Sequence, residues 1–100
     1  MQKNNLPKKK IAESIVRFSG MDIKQKDVEF LLDLFFDEIK NGLERGQTIE
    51  LRGFGTFELK QRKEKSSARN PKTGKIVSVK SHKVAIFRPG QDMKKRVWSL

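Results

Sequence analysis

One hundred residues carrying a net charge of +11, with 35% of them charged and none of them cysteine, describe a single modest domain whose partner is a polyanion. The absence of cysteine excludes disulfides and thiolate metal sites, and one histidine cannot hold a metal or other cofactor by itself. The N-terminus, MQKNNLPKKK, lacks the apolar core of a signal peptide and no apolar run is long enough to span a bilayer; the expectation is a soluble cytoplasmic protein with no membrane contact and no small-molecule substrate.

Ile11, Ile15 and Phe18, with Ala12 and Val16 beside them, recur at helical spacing and end at Ser19-Gly20, which predicts a helix over 8–18. Val28, Leu31, Leu32, Phe35, Phe36, Ile39 and Leu43 form the apolar stripe of a second helix over 24–45. Asp33, Asp37, Lys40 and Glu44 line its other face, and Gly46 stops it. The stripe is too wide for the short first helix to cover, so a second copy of the chain is the expected cover and residues 1–46 read as a helical dimerisation part. After Gly46 the period changes to alternation, with Ile49 and Leu51 on one face and Thr48, Glu50 and Arg52 on the other. Gly53-Phe54-Gly55 permits a tight turn, and alternation resumes over 56–60 through Phe57 and Leu59, giving a hairpin.

From Lys60 to Lys75 there is no large apolar side chain, so this stretch has nothing with which to join a core and must project into solvent. Ile76, Val77, Val79, Val84, Ile86 and Phe87 restore alternation, so the chain returns as a strand. Pairing of the two legs makes a ribbon arm over 60–80 within a sheet region of 47–87, with its tip near 70–74. Arg88-Pro89-Gly90 ends the strand, and QDMKKRVW predicts a short last helix within 89–99 that packs Met93, Val97 and Trp98. The fold class is α+β: two helices, a three-stranded antiparallel sheet with a long β-ribbon arm, and a C-terminal helix, in one domain spanning 1–100.

Charge follows this division. Residues 1–59 hold ten Lys/Arg and ten Asp/Glu, whereas residues 60–100 hold 13 Lys/Arg against Glu64 and Asp92 alone, so the excess charge belongs to the arm and the C-terminal residues after it. Arg62, Lys63, Lys65, Arg69, Lys72, Lys75, Lys80 and Lys83 are spread along both legs, a spacing suited to successive phosphates. The tip, ARNPKTGK, has two readings. Asn-Pro and Thr-Gly are ordinary turn residues, and on the tip alone a solvated β-turn is preferred. The other reading has Pro71, rigid and without an N–H, entering a base step while Arg69 and Asn70 line the minor groove, and the charge-rich, core-free arm tips the balance toward it.

GFGTF at 53–57, ARNPKTGK at 68–75, FRPG at 87–90 with Lys94 beyond it, and the Phe35-Phe36 pair together resemble the HU and integration host factor family of bacterial DNA-bending proteins, over nearly the whole chain. The resemblance implies an intertwined dimer with a helical body and a β-saddle, two arms around the minor groove of double-stranded DNA, and a place in the bacterial nucleoid. In proteins of this kind an apolar wedge kinks the duplex at a cost of a few kcal/mol per unstacked step. Carried over by position, Pro71 intercalates and Arg69 and Asn70 are its neighbours in the groove. Lys8, Lys94 and the helix ends hold flanking DNA, and Arg88 of FRPG belongs to the same surface. Arg52, just before GFG, resembles one of the two integration host factor chains, where an arginine there assists sequence preference; FRPGQ resembles the other. A homodimer is the simplest source of two arms, and a heterodimer with a different chain stays open. Relative to the family pattern, MQKNNLP and two residues around Met21-Asp22 are additions, and the arm is one residue longer before Asn70-Pro71.

Other functions fit less well. Gly53-x-Gly55 lacks the third glycine of a dinucleotide loop and lies between strands. His82, Glu58, Glu64 and Asp92 form no acid-base or metal arrangement, so no enzyme is read. An RNA-binding module would show exposed stacking aromatics, and a membrane-surface protein would place its cations on an amphipathic helix rather than an arm.

Overall fold

The computed structural model describes residues 4–69 and 72–100, with the backbone alone at 65–69, 77 and 79. The chain divides into two compact units, residues 1–41 and 42–100.

In the first unit, helix α1 (Lys8–Ser19) starts after Pro7, whose φ of −72° and ψ of 160° place it in extended backbone. No side chain caps this end; the Lys10 and Ile11 N–H groups donate to the Pro7 carbonyl instead, at 3.0 and 3.1 Å. Gly20 closes the helix in the left-handed region at φ 67°, one residue later than the apolar spacing predicts, because the Ser19 hydroxyl donates back to the Val16 carbonyl and keeps Ser19 in the last turn. Helix α2 (Gln25–Glu44) has Asp27 in its first turn, the favourable sign for a helix N-terminus. The Lys8 ammonium pairs with the Asp33 carboxylate, and the Gln25 amide donates to the Lys9 carbonyl at 3.5 Å, so the α1 lysine run is tied to α2 at two places.

Burial within one chain is slight. Among the described residues the buried hydrophobic side chains are Ala12 and Val28, whereas Leu31, Leu34, Phe35 and Phe36 on α2 are 56, 46, 44 and 40% exposed. The face that would drive folding of α2 is the face left open, and a helix is held mainly by burial of such a face. One chain alone does not supply that burial.

The second unit begins with the last turn of α2. Gly46, at φ 76°, ends it, with its N–H bonded to the Leu43 carbonyl and that of Gln47 to the Gly42 carbonyl, both at 2.9 Å. Strands β1 (Ile49–Leu51), β2 (Gly55–Arg62) and β5 (His82–Pro89) form an antiparallel sheet in the order β1-β2-β5. Ile49 faces Phe57 across the first pair, and the second runs from Gly55 opposite Pro89 to Arg62 opposite His82. Phe87 gathers the aromatic core of the sheet, its ring centroid 5.1 Å from Phe54 and 4.9 Å from Phe57. Gly42 leaves room for Ile49, whose Cδ1 lies 2.5 Å from where a Cβ would stand. Helix α3 (Gln91–Trp98) starts at Gly90, whose N–H donates to the Phe54 carbonyl at 2.9 Å, so the turn between β1 and β2 fixes the helix.

Each leg of the arm, expected as one continuous strand, is interrupted. Strands β3 (Lys65–Arg69) and β4 (Ile76–Val79) form a separate two-stranded ribbon. The gap holds Lys63-Glu64 in one leg and Lys80-Ser81 in the other, four residues with little strand preference and no apolar surface to pair. The pairs on either side, Arg62 with His82 and Lys65 with Val79, show that the gap takes two residues from each leg and leaves the register unchanged. The shift comes further out: Lys65 faces Val79 but Ala68 faces Val77, so the first leg spends three residues where the second spends two. That is a β-bulge, and it lies in the leg that the family pattern makes one residue longer.

Candidate nucleic-acid interface

Alternation along β2 and its register with β5 sort the side chains. Glu58, Lys60 and Arg62 share a face with His82, Val84, Ile86 and Arg88, while Phe57 and Leu59 share the other with Ala85 and Phe87. The first face is a polar floor that leads into the arm; the second carries the aromatic core. Arg62, Lys63, Lys72, Lys75, Lys80 and Lys83 are all exposed. Lys83, opposite Gln61, leaves from the face opposite to that of Arg62, so the ribbon carries cations on both sides near its base.

The remaining candidates are spread more widely. Arg52 is exposed in the turn after β1, and Lys94 is exposed on α3. Lys8, in the first unit, is engaged by Asp33. Lys65 and Arg69 lie in β3, where only the backbone is described, and Asn70 and Pro71 lie outside the described residues. Beyond them Thr73 Oγ1 accepts from the Lys75 N–H at 3.3 Å and Gly74 takes φ 72°, so the described part of the tip turns back tightly.

Arg88 is held differently from the exposed lysines. Its Nε lies 3.1 Å from Glu58 Oε1 and its Nη2 donates to Glu58 Oε2 at 3.2 Å, a two-point pairing of guanidinium and carboxylate. At the gap in the ribbon the Gln61 amide donates to the Ser81 hydroxyl, and His82 Nδ1–H donates to the Lys80 carbonyl at 2.8 Å. Side chains thus bridge the place where the ladder is missing. Two members of this surface escape sequence reasoning: Lys60, which the period of two in β2 places beside Arg62, and Glu58, whose partner is 30 residues away and leaves no local signal. Among the described residues no group of acidic, histidine or cysteine side chains could hold a metal ion, and no helix is long and apolar enough to cross a membrane.

Residues 6–98 match the family described as bacterial DNA-binding protein. The integration host factor subunit alpha of Alteromonas mediterranea is 44% identical over 92 residues, covering 92% of this chain and 90% of that one. The protein of the same name from Pseudoalteromonas translucida is 45% identical with the same coverage. Among solved structures, a cocrystal of Anabaena HU with DNA superposes with a TM-score of 0.80 at 24% identity, covering 91% of this chain and 96% of that one. An HU variant from Thermotoga maritima gives 0.65 at 27% identity, with 91 and 97% covered. A helical first part, a three-stranded sheet and a basic ribbon therefore recur together with the sequence match, and the chain belongs to the bacterial DNA-binding protein family of HU and integration host factor, architectural DNA-binding proteins and not enzymes.

Proposed function

We propose that the chain acts as a dimer whose two ribbon arms enclose double-stranded DNA along the minor groove and bend it sharply by insertion of Pro71, and that it does so in the bacterial nucleoid. The observation that carries this reading is the ribbon β3–β4: it stands apart from the three-stranded sheet, has no large apolar side chain between Lys60 and Lys75 and is flanked by exposed cations. A ribbon of that composition gains little from burial, and a polyanion offsets the cost of ordering it. Arg62, Lys63, Lys65, Lys72, Lys75, Lys80 and Lys83 meet phosphates along the arm, Arg69 and Asn70 line the groove beside Pro71, and the polar floor with Arg52 and Arg88 underlies the duplex. Lys8 and Lys94 hold flanking DNA. The open face of α2 supports dimerisation, and a second copy of this chain supplies the second arm. That the alpha relatives are named subunits favours, as a second reading, a partner of different sequence.

The test is a titration of duplex DNA labelled at both ends, read by mobility shift for binding and by fluorescence transfer for bending. Pro71→Ala should lower the transfer efficiency at saturation while changing affinity much less, because the phosphate contacts survive loss of the wedge. Lys72→Ala with Lys75→Ala should weaken binding to all sequences alike and flatten the log-log salt slope by about 0.9 for each phosphate no longer neutralised. A Pro71→Ala protein that bends DNA as the parent does would overturn the wedge.

A further inference from the structure

We propose that Arg88 reads base edges rather than phosphate, and that Glu58 is the positioning residue that makes it do so; this rests on the minor-groove reading above. A guanidinium has five N–H donors. Two of them, on Nε and Nη2, are taken by the Glu58 carboxylate at 3.1 and 3.2 Å, and the three that remain point away from it. Glu58 is the more buried member, its side chain 27% exposed against 64% for Arg88, so the carboxylate is the fixed base of the pair and the guanidinium its outward end. Register supports the same geometry, since Glu58 stands opposite Ile86 and Arg88 opposite Thr56 on the polar floor, with no second described cation paired to Glu58.

The pair has no net charge. A phosphate approaching Arg88 meets the Glu58 carboxylate behind it, so most of the attraction that draws phosphate to a free lysine such as Lys60 is cancelled. Directional N–H donors lose far less, and they suit uncharged acceptors. The minor groove offers such acceptors, adenine N3 and thymine O2, while guanine N2 places a donor in the way. A fixed guanidinium on the floor of the sheet therefore favours A·T over G·C at the step above it, whereas a mobile arginine would settle on the nearest phosphate.

The experiment compares affinities and salt slopes on matched duplexes, one containing G·C pairs and one with inosine in place of guanine, which removes the N2 amino group and leaves the major-groove edge unchanged. The parent should prefer the inosine duplex. Arg88→Ala should reduce that preference about three- to tenfold, the worth of one or two hydrogen bonds, and leave the salt slope unchanged. Arg88→Lys keeps the charge but not the fork, and should lose the preference equally. Glu58→Gln frees Arg88 to act as an ordinary cation: the preference should fall to that of Arg88→Ala and the slope should steepen by about 0.9. Thermal melting of each variant checks the fold, and the two Arg88 variants carry the test if Glu58→Gln is destabilised. If Arg88→Ala flattens the slope by about 0.9 and keeps the preference, Arg88 is a phosphate contact and the proposal fails. If the parent does not bind duplex DNA through its minor groove, the reading beneath it fails instead.

Discussion

Gly53 and Gly55 stand two residues apart in one turn and answer to different constraints. Gly53 has φ 83° and nothing within 4 Å of a hypothetical Cβ, so its demand is conformational. A Cβ on Gly55 would come within 2.5 Å of the Phe87 ring and 2.6 Å of the Arg88 carbonyl, so its demand is space. Gly53→Ala should cost about 1–2 kcal/mol, the penalty for an L side chain in the left-handed region. Gly55→Ala should cost more, about 3 kcal/mol, since backbone and an aromatic core ring must both move. Urea unfolding at matched protein concentration ranks the two, and a larger loss for Gly53→Ala would contradict this assignment. The sequence marks GFG as a turn but not which glycine serves which end, because alternation assigns faces and not distances. The cations show the same boundary. Their number and region are plain in the sequence, yet the partners of Lys8 and Arg88 lie 25 and 30 residues away, beyond what one sequence can pair.

Elements defined by strong apolar periodicity are legible almost to the residue. The second helix, expected over 24–45, runs from Gln25 to Glu44, and the last one spans Gln91–Trp98, the whole of its octapeptide. The interruption of the ribbon is not legible, since Lys63, Glu64, Lys80 and Ser81 are as polar as the rest of the arm and a gap in the ladder changes no pattern. The bulge has a testable consequence. Deleting Ser67 removes the extra residue between Lys65 and Ala68 and returns the ribbon to the register of β2 with β5, which takes away the added local twist of a bulged strand. The arm tip is then rotated relative to the sheet while the sheet itself is untouched. The deletion variant should melt like the parent, within about a degree or two, and bend DNA less at saturation in the same fluorescence titration. A lower melting temperature would mean that the bulge supports the body, and unchanged bending that the tip does not depend on it.

At the scale of the whole molecule the governing fact is the mismatch between what one chain folds and what it covers. Charge gives no help, because two copies at +11 each repel, so association has to be driven by the apolar face of α2. Leu31, Leu34, Phe35 and Phe36 supply that face, and each large side chain withdrawn from water contributes about 1.5–3 kcal/mol if burial is complete. Folding and association are then one equilibrium, and stability depends on protomer concentration. The midpoint of thermal unfolding of the purified chain should rise steadily with protein concentration, and light scattering should give twice the chain mass. Phe35→Glu should abolish the cooperative transition rather than lower its midpoint, because a carboxylate in the dimer seam is buried without a partner. A parent chain that scatters as a monomer and shows no cooperative melting by itself would place the cover for α2 on a chain of different sequence, and mixing with that chain would restore the transition.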